Sequence, residues 1–175
     1  MSWKEKVFEE QITPYIDTIY KGLFSGLQEI NRSERSNNDN QKTLFMDTEL
    51  GIDTILKFDD GTALTFQEKS RKNYYLKYDD FTFEYFNDPK TKELGEWFKL
   101  ASQYYFYGFA RENNIGYSKF YILKVPDFRL YLKNDIGINA LKNKYLRSNK
   151  PPAKANFFAI PFKEIPTNCI LYKSA

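Results

Sequence analysis

Apolar side chains recur at helical spacing through the first part of the chain, from residue 3 to about residue 30. This spacing predicts an amphipathic helix over that range. The positions that carry the pattern are Val7, Ile12, Ile16, Ile19, Leu23 and Leu27. Pro14 predicts a break or a new start near Thr13, because proline removes a backbone donor from a helix. The polar stretch 31–40 then predicts an exposed loop, or a strap that covers a substrate.

The rest of the chain predicts strands and helices in mixed order. Residues 51–58 and 62–69 are strand-like runs, and Asp59-Asp60-Gly61 between them is typical of a hairpin turn. The further predicted elements are a strand at 81–86, a long helix at 93–113, a buried strand at 119–125, a helix at 135–147 and two short strands within 156–172. This order predicts a single α/β domain spanning 1–175, with a core at about 3–125 and a C-terminal helical and short-strand extension at about 126–175.

The hairpin decides which polar side chains meet, because residues opposite each other on antiparallel strands share a face. A three-residue loop places Asp53 opposite Gln67, with Lys69 next on the same face. A two-residue loop places Asp53 opposite Glu68 instead. The three-residue loop is favoured because it gathers the apolar residues on the other face. Those residues are Ile52, Leu56, Phe58, Leu64 and Phe66.

The composition supports a folded domain and excludes several chemistries. The 175-residue chain is 42% hydrophobic and has 16 Phe and 14 Tyr, which is enough apolar bulk for a core. It has no histidine and one cysteine, Cys169, which argues against zinc sites and excludes Ser-His-Asp catalysis, Cys-His catalysis and intrachain disulfides. No glycine-rich nucleotide-binding motif is present. The net charge of +3 does not by itself indicate a nucleic-acid partner.

The same composition bears on the compartment. A chain without disulfides fits a reducing cytoplasm, and the polar first residues lack the apolar segment of a signal peptide. The longest apolar runs are too short to span a bilayer. We therefore expect a cytoplasmic protein that does not associate with membranes. Its richness in Asn, Lys, Ile and Tyr indicates an AT-rich genome, such as that of a phage or mobile element.

An acid, an amide and a lysine on one side of a short sheet suit the chemistry of a hard metal ion. Asp53 and Gln67 offer oxygen ligands of the kind that Mg²⁺ or Mn²⁺ prefers. Lys69 can orient an attacking water or neutralise charge in the transition state. Gly51-Ile52-Asp53, thirteen intervening residues and Gln67-Glu68-Lys69 resemble the PD-(D/E)XK nuclease superfamily, in the glutamine variant found in Mrr-type restriction endonucleases.

The resemblance implies a fold and an activity. It implies a restriction-endonuclease-like core, which is a mixed sheet with elements in the order helix, strand, strand, strand, helix, strand. It also implies a deoxyribonuclease that hydrolyses DNA by Mg²⁺-activated water attack, with Asp53 and Gln67 as metal ligands and Lys69 as the catalytic lysine. Ile52 stands where the motif's name has proline. Cutting both strands of DNA generally needs two sites, so a homodimer is a possible assembly.

The resemblance also leaves one ligand to be found. Gln67 gives the metal one negative charge less than an acid would, and many members take a further carboxylate from the first helix. Glu29 is the first choice for this third catalytic and metal-binding residue, followed by Glu34 and then by Asp47 or Glu49. The residues expected to contact DNA follow the motif directly, since cations bind phosphates and tyrosines stack on bases. They are Arg71, Lys72, Tyr74 and Tyr75.

Other interpretations of these residues stay open. Asp53 is also compatible with a polar strand end, and Gln67 with Lys69 form the solvated face of an ordinary antiparallel strand equally well. The alternative function is a catalytically inactive nuclease-like domain that binds nucleic acid or a protein. A third class is an interaction protein with no affinity for nucleic acid.

Overall fold

A computed structural model of the chain describes residues 3–33, 41–149 and 154–174. Within these ranges the protein is an α/β fold with a mixed six-stranded sheet and a second, antiparallel sheet. The helices are α1 (Trp3–Leu23), α2 (Gln41–Leu50), α3 (Glu96–Lys99), α4 (Val125–Tyr131) and α5 (Ile138–Tyr145). The strands are β1 (Leu27–Arg32), β2 (Thr54–Phe58), β3 (Ala63–Arg71), β4 (Asp80–Asp88), β5 (Glu93–Leu94), β6 (Tyr104–Ala110), β7 (Tyr117–Lys124), β8 (Leu146–Ser148), β9 (Asn156–Pro161) and β10 (Ile170–Lys173). Short 3-10 helices span Asn73–Tyr78, Phe162–Glu164 and Thr167–Cys169, and a π-helical turn spans Leu132–Ile136.

The larger sheet has the strand order β1-β2-β3-β6-β7-β10. Strands β3 and β6 run parallel, and the other neighbouring pairs of this sheet are antiparallel. The parallel pairing places Tyr105 beside Gln67 and Tyr107 beside Lys69. A strand that is distant in sequence therefore lies along the predicted site.

The smaller sheet, with the order β5-β4-β9-β8, packs against one face of the larger sheet. Aromatic rings from both sheets fill the space between them. The ring of Phe81 on β4 lies 4.8 Å from the ring of Tyr105 and 5.2 Å from that of Tyr107, both in edge-on contact. Phe162 stacks on Tyr121 of β7 at 3.6 Å. This aromatic layer accounts for the high Phe and Tyr content, since such rings bury large apolar areas.

Helix α1 covers the opposite face of the larger sheet. Ile16 and Tyr20 are buried there against Leu56 of β2, Phe66 of β3 and Phe106 of β6. Pro14 lies inside α1 without ending it. The buried face of the helix continues through the proline, and this burial offsets the cost of one lost backbone hydrogen bond. The predicted break near Thr13 is therefore wrong.

The N-terminal boundaries differ from the prediction. Helix α1 ends at Leu23, and the residues expected to continue it to about 30 form β1 instead. Helix α2 was not predicted. Of the predicted polar stretch 31–40, residues 34–40 lie outside the described part of the chain.

The predicted helix at 93–113 is wrong. This range contains β5, the single turn of α3 and the central strand β6. Residues 105–110 are buried at every position, so the run lacks the alternation of a half-exposed strand. Gly108 permits the close packing, because a Cβ at this position would lie 2.3 Å from Cε1 of Tyr117.

The strand order also differs from the predicted helix, strand, strand, strand, helix, strand. The strand expected at 81–86 forms as β4, but it belongs to the smaller sheet. The neighbour of β3 is β6 instead. The element order from the N-terminus is α1, β1, α2, β2, β3, β4, β5, α3, β6.

The C-terminal predictions hold in outline. Strand β7 matches the predicted strand at 119–125, α5 lies within the predicted helix at 135–147, and β9 and β10 match the two short strands. Strand β10 pairs with β7 at the edge of the larger sheet, so residues beyond 126 contribute to the core. No helix in the described ranges combines the length and the apolar character needed to cross a lipid bilayer.

Candidate active site

The hairpin of β2 and β3 has the register of the three-residue loop. Ile55 pairs with Thr65, and the backbone N–H of Asp53 donates to the carbonyl of Phe66 at 2.8 Å. Continuing this register brings Asp53 and Gln67 together. The Nε2 of Gln67 donates to Oδ2 of Asp53 at 2.7 Å. The predicted register is confirmed, and the acid and the amide are in direct contact.

The other face of the hairpin is apolar, as the register requires. Leu56 and Phe66 are fully buried against α1, with Phe58 and Leu64 packed beside them. Ile52 is buried as well. Burial of these side chains fixes the register, because a slip by one residue would expose them.

Glu68 lies on the α1 side of the sheet, away from Asp53's carboxyl contact with Gln67. Its carboxylate accepts from Arg32 at 2.5 Å and from the hydroxyl of Tyr20 at 3.0 Å. Arg32 also contacts Asp17 and donates to Thr54. This buried network holds the carboxylate of Glu68 as a structural ion pair. Glu68 contacts the site directly through its backbone N–H, which donates to Oδ2 of Asp53 at 2.8 Å.

Burial raises the pKa of the Asp53 carboxyl well above its usual value. The hydrogen bond from the backbone of Glu68 opposes this shift, and the negative charges of Glu68, Asp47 and Glu96 add to it. The Asp53 carboxyl group thus lies in a poorly solvated environment that is surrounded by negative charge. A cation that replaced its proton would be favoured there by the same charges.

Lys69 follows Gln67 on the same face and pairs with Glu96. Its Nζ lies 3.3 Å from Oε2 of Glu96, and the pair is mostly buried, with 23% and 16% of the two side chains exposed. The hydroxyl of Tyr105 donates a short hydrogen bond to the other carboxylate oxygen of Glu96. Glu96 is therefore a member of the site that the sequence did not reveal. It begins α3, which the pattern had merged into one long helix.

The amide oxygen of Gln67 is a vacant acceptor. Oε1 is buried and finds no hydrogen-bond partner among the described residues. Buried polar atoms normally have partners, so this atom calls for a water or an ion. Gly51 lies against it: with φ at +55°, a Cβ at this position would sit 3.2 Å from Oε1 and 3.3 Å from Cα of Leu100. Glycine lets the chain approach the amide closely while keeping the left-handed conformation.

The candidates for the further carboxylate are placed differently. Glu29 forms an exposed ion pair with Lys57 at 3.0 Å, beside the far end of β2. Lys57 is four residues from Asp53, or about 13 Å along a strand. The structure therefore does not bring Glu29 to the site. Glu49 is exposed and Asp47 is partly buried on α2, and the charge of Asp47 contributes to the raised pKa of Asp53.

Glu34, the remaining candidate, lies outside the described residues. Across the described ranges, no group of three or more Asp, Glu, His or Cys side chains is arranged to hold a metal ion. A Mg²⁺ ion keeps several waters and takes only one or two carboxylates from a protein. Asp53 fits a sparse site of this kind, and Gln67 directs Nε2 toward its carboxylate and Oε1 toward Gly51.

The four residues expected to contact DNA extend from the end of β3. The guanidinium of Arg71 lies over the ring of Tyr75, 4.2 Å from its centroid. Lys72 and Tyr74 are exposed, whereas Tyr75 is half-buried and packs on the core between the sheets. Arg71 lies two residues beyond Lys69 on the same face of β3, so this cation is next to the site residues along the strand.

Comparison of the sequence with known protein families and with curated proteins, and of the structure with solved structures, gives no match.

Proposed function

We propose that the chain is a metal-dependent nuclease of the PD-(D/E)XK kind, which hydrolyses DNA phosphodiester bonds with Mg²⁺ or Mn²⁺. One observation carries the proposal. Asp53 and Gln67 are in contact at 2.7 Å on one face of the hairpin, and Lys69 is the next residue on that face. Acid, amide and ammonium thus lie on one face of the larger sheet, beside Tyr105 and Tyr107 of β6.

The order of elements supports the proposal at the level of the core. The superfamily's order of helix, three strands, helix and strand can be followed through α1, β1, β2, β3, α3 and β6, with α2, β4 and β5 interposed. Asp53 directly precedes β2, and Gln67 and Lys69 lie on β3. This arrangement is compatible with a restriction-endonuclease-like core that carries a second sheet as an addition.

The chemistry follows from the donor set. Asp53 would hold the cation through a carboxylate oxygen, and Gln67 would hold it through Oε1 after its amide turns over, because Nε2 now faces Asp53. When bound, the ion polarises a phosphoryl oxygen and lowers the pKa of a bound water. Lys69 orients the attacking water and opposes the growing negative charge, while Glu96 holds its ammonium in place. Since the pKa of Asp53 is raised, cation binding is coupled to loss of its proton and strengthens as pH rises.

Cleavage of supercoiled plasmid DNA tests the proposal. The wild-type protein should nick or linearise the plasmid with Mg²⁺ or Mn²⁺ and leave it intact with EDTA. Asp53→Asn and Lys69→Ala should each lower the rate by roughly 10²-fold or more, the range seen when one group that stabilises transition-state charge is removed. Lys57→Ala is the matched control, since it removes an exposed lysine from the same hairpin.

Circular dichroism should show all three variants folded. Cleavage that persists in EDTA, or that survives Asp53→Asn, would overturn the metal-dependent mechanism.

A second candidate is a nuclease-like domain that binds nucleic acid without cutting it. The ion pair between Lys69 and Glu96 favours this candidate, because a lysine held by a carboxylate is less available to a phosphate. Gel-shift binding by the wild-type protein, unchanged in Asp53→Asn and Lys69→Ala and never accompanied by cleavage, would select it.

A further inference from the structure

An exposed row of tyrosines follows the site strand directly. Tyr74 and Tyr78 are each 57% exposed, which is unusual for rings of this size. They lie on the 3-10 helix Asn73–Tyr78, which begins two residues after Arg71 and contains no buried residue. We call Tyr74, Tyr75 and Tyr78 the tyrosine row.

The rings and the cations of this segment are interleaved. The rings of Tyr74 and Tyr75 lie 4.0 Å apart, and Tyr78 lies 6.5 Å beyond Tyr75. Arg71 covers the ring of Tyr75, and Nζ of Lys77 lies 5.0 Å from the ring of Tyr78. Cations held over aromatic faces keep the rings in fixed positions.

The tyrosine row is held in place by contacts with the core and with β7. Tyr75 and Leu76 pack on the core between the two sheets. The helix ends at Asp79, which has φ at +45° and forms an ion pair with Lys119 on β7 at 2.7 Å. The exposed rings are therefore presented by a rigid base, and a ligand would not have to order them.

The charge of the segment selects the kind of ligand. Residues 69–78 contain the four cations Lys69, Arg71, Lys72 and Lys77 and no carboxylate. Open aromatic faces among cations match a chain of phosphates that carries exposed bases, as in single-stranded nucleic acid. In duplex DNA the bases are already stacked on each other and offer no face to a tyrosine.

We infer that the tyrosine row binds unpaired bases, so that the substrate is single-stranded nucleic acid or a single-stranded end or flap. This inference rests on the proposed function, because the row extends the strand that carries Gln67 and Lys69. Arg71 is about 7 Å from Lys69 along β3. A nucleic-acid strand whose bases stack on Tyr74 and Tyr78 would then pass Arg71 on its way to the candidate active site.

Fluorescence anisotropy with labelled oligonucleotides in EDTA tests the inference without requiring cleavage. The wild-type protein should bind a single-stranded oligonucleotide of about 20 nucleotides more tightly than the duplex of the same sequence. Tyr74→Ala and Tyr78→Ala should each weaken single-strand binding by roughly 5- to 150-fold, which corresponds to the ~1–3 kcal/mol per stacked base. Tyr74→Phe and Tyr78→Phe keep the rings and should bind like the wild-type protein.

Salt dependence separates the phosphate contacts from the stacking. Lys72→Ala combined with Lys77→Ala should reduce the slope of log K against log salt by roughly 1.4, or about 0.7 per lost phosphate contact. Lys90→Ala combined with Lys163→Ala removes the same charge from exposed positions elsewhere and should leave the slope unchanged.

The outcomes distinguish this inference from the proposed function. Plasmid cleavage that needs Asp53, together with binding that tolerates Tyr74→Ala and Tyr78→Ala, would overturn the tyrosine row and leave the nuclease standing. Tyrosine-dependent binding of single strands, without cleavage of either the plasmid or the single-stranded oligonucleotide in Mg²⁺ or Mn²⁺, would support the row and overturn catalysis. No binding to either oligonucleotide would overturn both and would favour a protein as the ligand of this surface.

Discussion

At the scale of single residues, the site contains polar groups whose burial is energetically costly. Asp53 holds its proton above the usual range, and the amide oxygen of Gln67 is buried without a described partner. Titratable groups with strongly shifted pKa values are frequent at functional sites. The contrast with Glu68 is informative. That neighbouring acid is fully engaged by Arg32 and Tyr20.

The raised pKa of Asp53 predicts how stability depends on pH. The folded protein keeps this proton over a range in which the unfolded chain, with a pKa of about 3.9, has lost it. Stability should therefore fall as pH rises from about 4 through the raised pKa, with a slope on the order of 1.4 kcal/mol per pH unit. Asp53→Asn should lack this slope and should be more stable than the wild-type protein at neutral pH. Urea unfolding between pH 4 and pH 8 measures both, and parallel curves would contradict the assignment.

At the scale of elements, the hairpin was predictable and β6 was not. The turn Asp59-Asp60-Gly61 and the apolar face on Leu56 and Phe66 are local signals, and together they fix the register that brings Asp53 to Gln67. Strand β6 carries no such signal, because burial on both faces removes its alternation. Glu96 was missed because the same pattern placed it inside one long helix at 93–113, whereas in the structure it begins α3.

The packing of β6 gives a matched pair of glycine substitutions. Gly108→Ala should destabilise the protein by about 1–3 kcal/mol, because its Cβ would overlap the ring of Tyr117. Gly22→Ala, near the end of α1, meets no described atom within 4 Å and should stabilise by roughly 0.5–1 kcal/mol. Chemical denaturation of the two variants reports both values. Equal effects would show that β6 is not the tightly packed strand described above.

At the scale of the whole molecule, the second sheet was beyond the reach of sequence patterns. Its strands β4 and β9 were predicted as strands, yet nothing in their composition says which sheet they join. Sheet membership depends on contacts between distant segments, and here on the ring of Phe81 packing among Tyr105, Tyr107 and Phe128. The α/β class follows from the element order, whereas the two-sheet arrangement depends on contacts between distant segments.

The aromatic layer between the sheets should dominate global stability. Phe81→Ala removes a ring that is 1% exposed and should cost about 3–5 kcal/mol, with loss of both sheets in one transition. Phe45→Ala, at a side chain that is 55% exposed, should change stability by no more than about 0.5 kcal/mol. Thermal unfolding followed by near- and far-ultraviolet circular dichroism is the measurement. Separate transitions for the two signals would indicate that the sheets unfold independently.

The parallel pairing of β3 with β6 has a consequence for the order in which the chain folds. Thr65 and Gln103, which bond to each other where these strands meet, are 38 residues apart along the chain. The β2–β3 hairpin closes early because its contacts are local, but Glu96 and Tyr105 reach Lys69 only after this distant strand has docked. A nascent chain on the ribosome would thus hold Asp53 and Gln67 together well before the lysine is anchored, and the site would be completed among the last steps of folding.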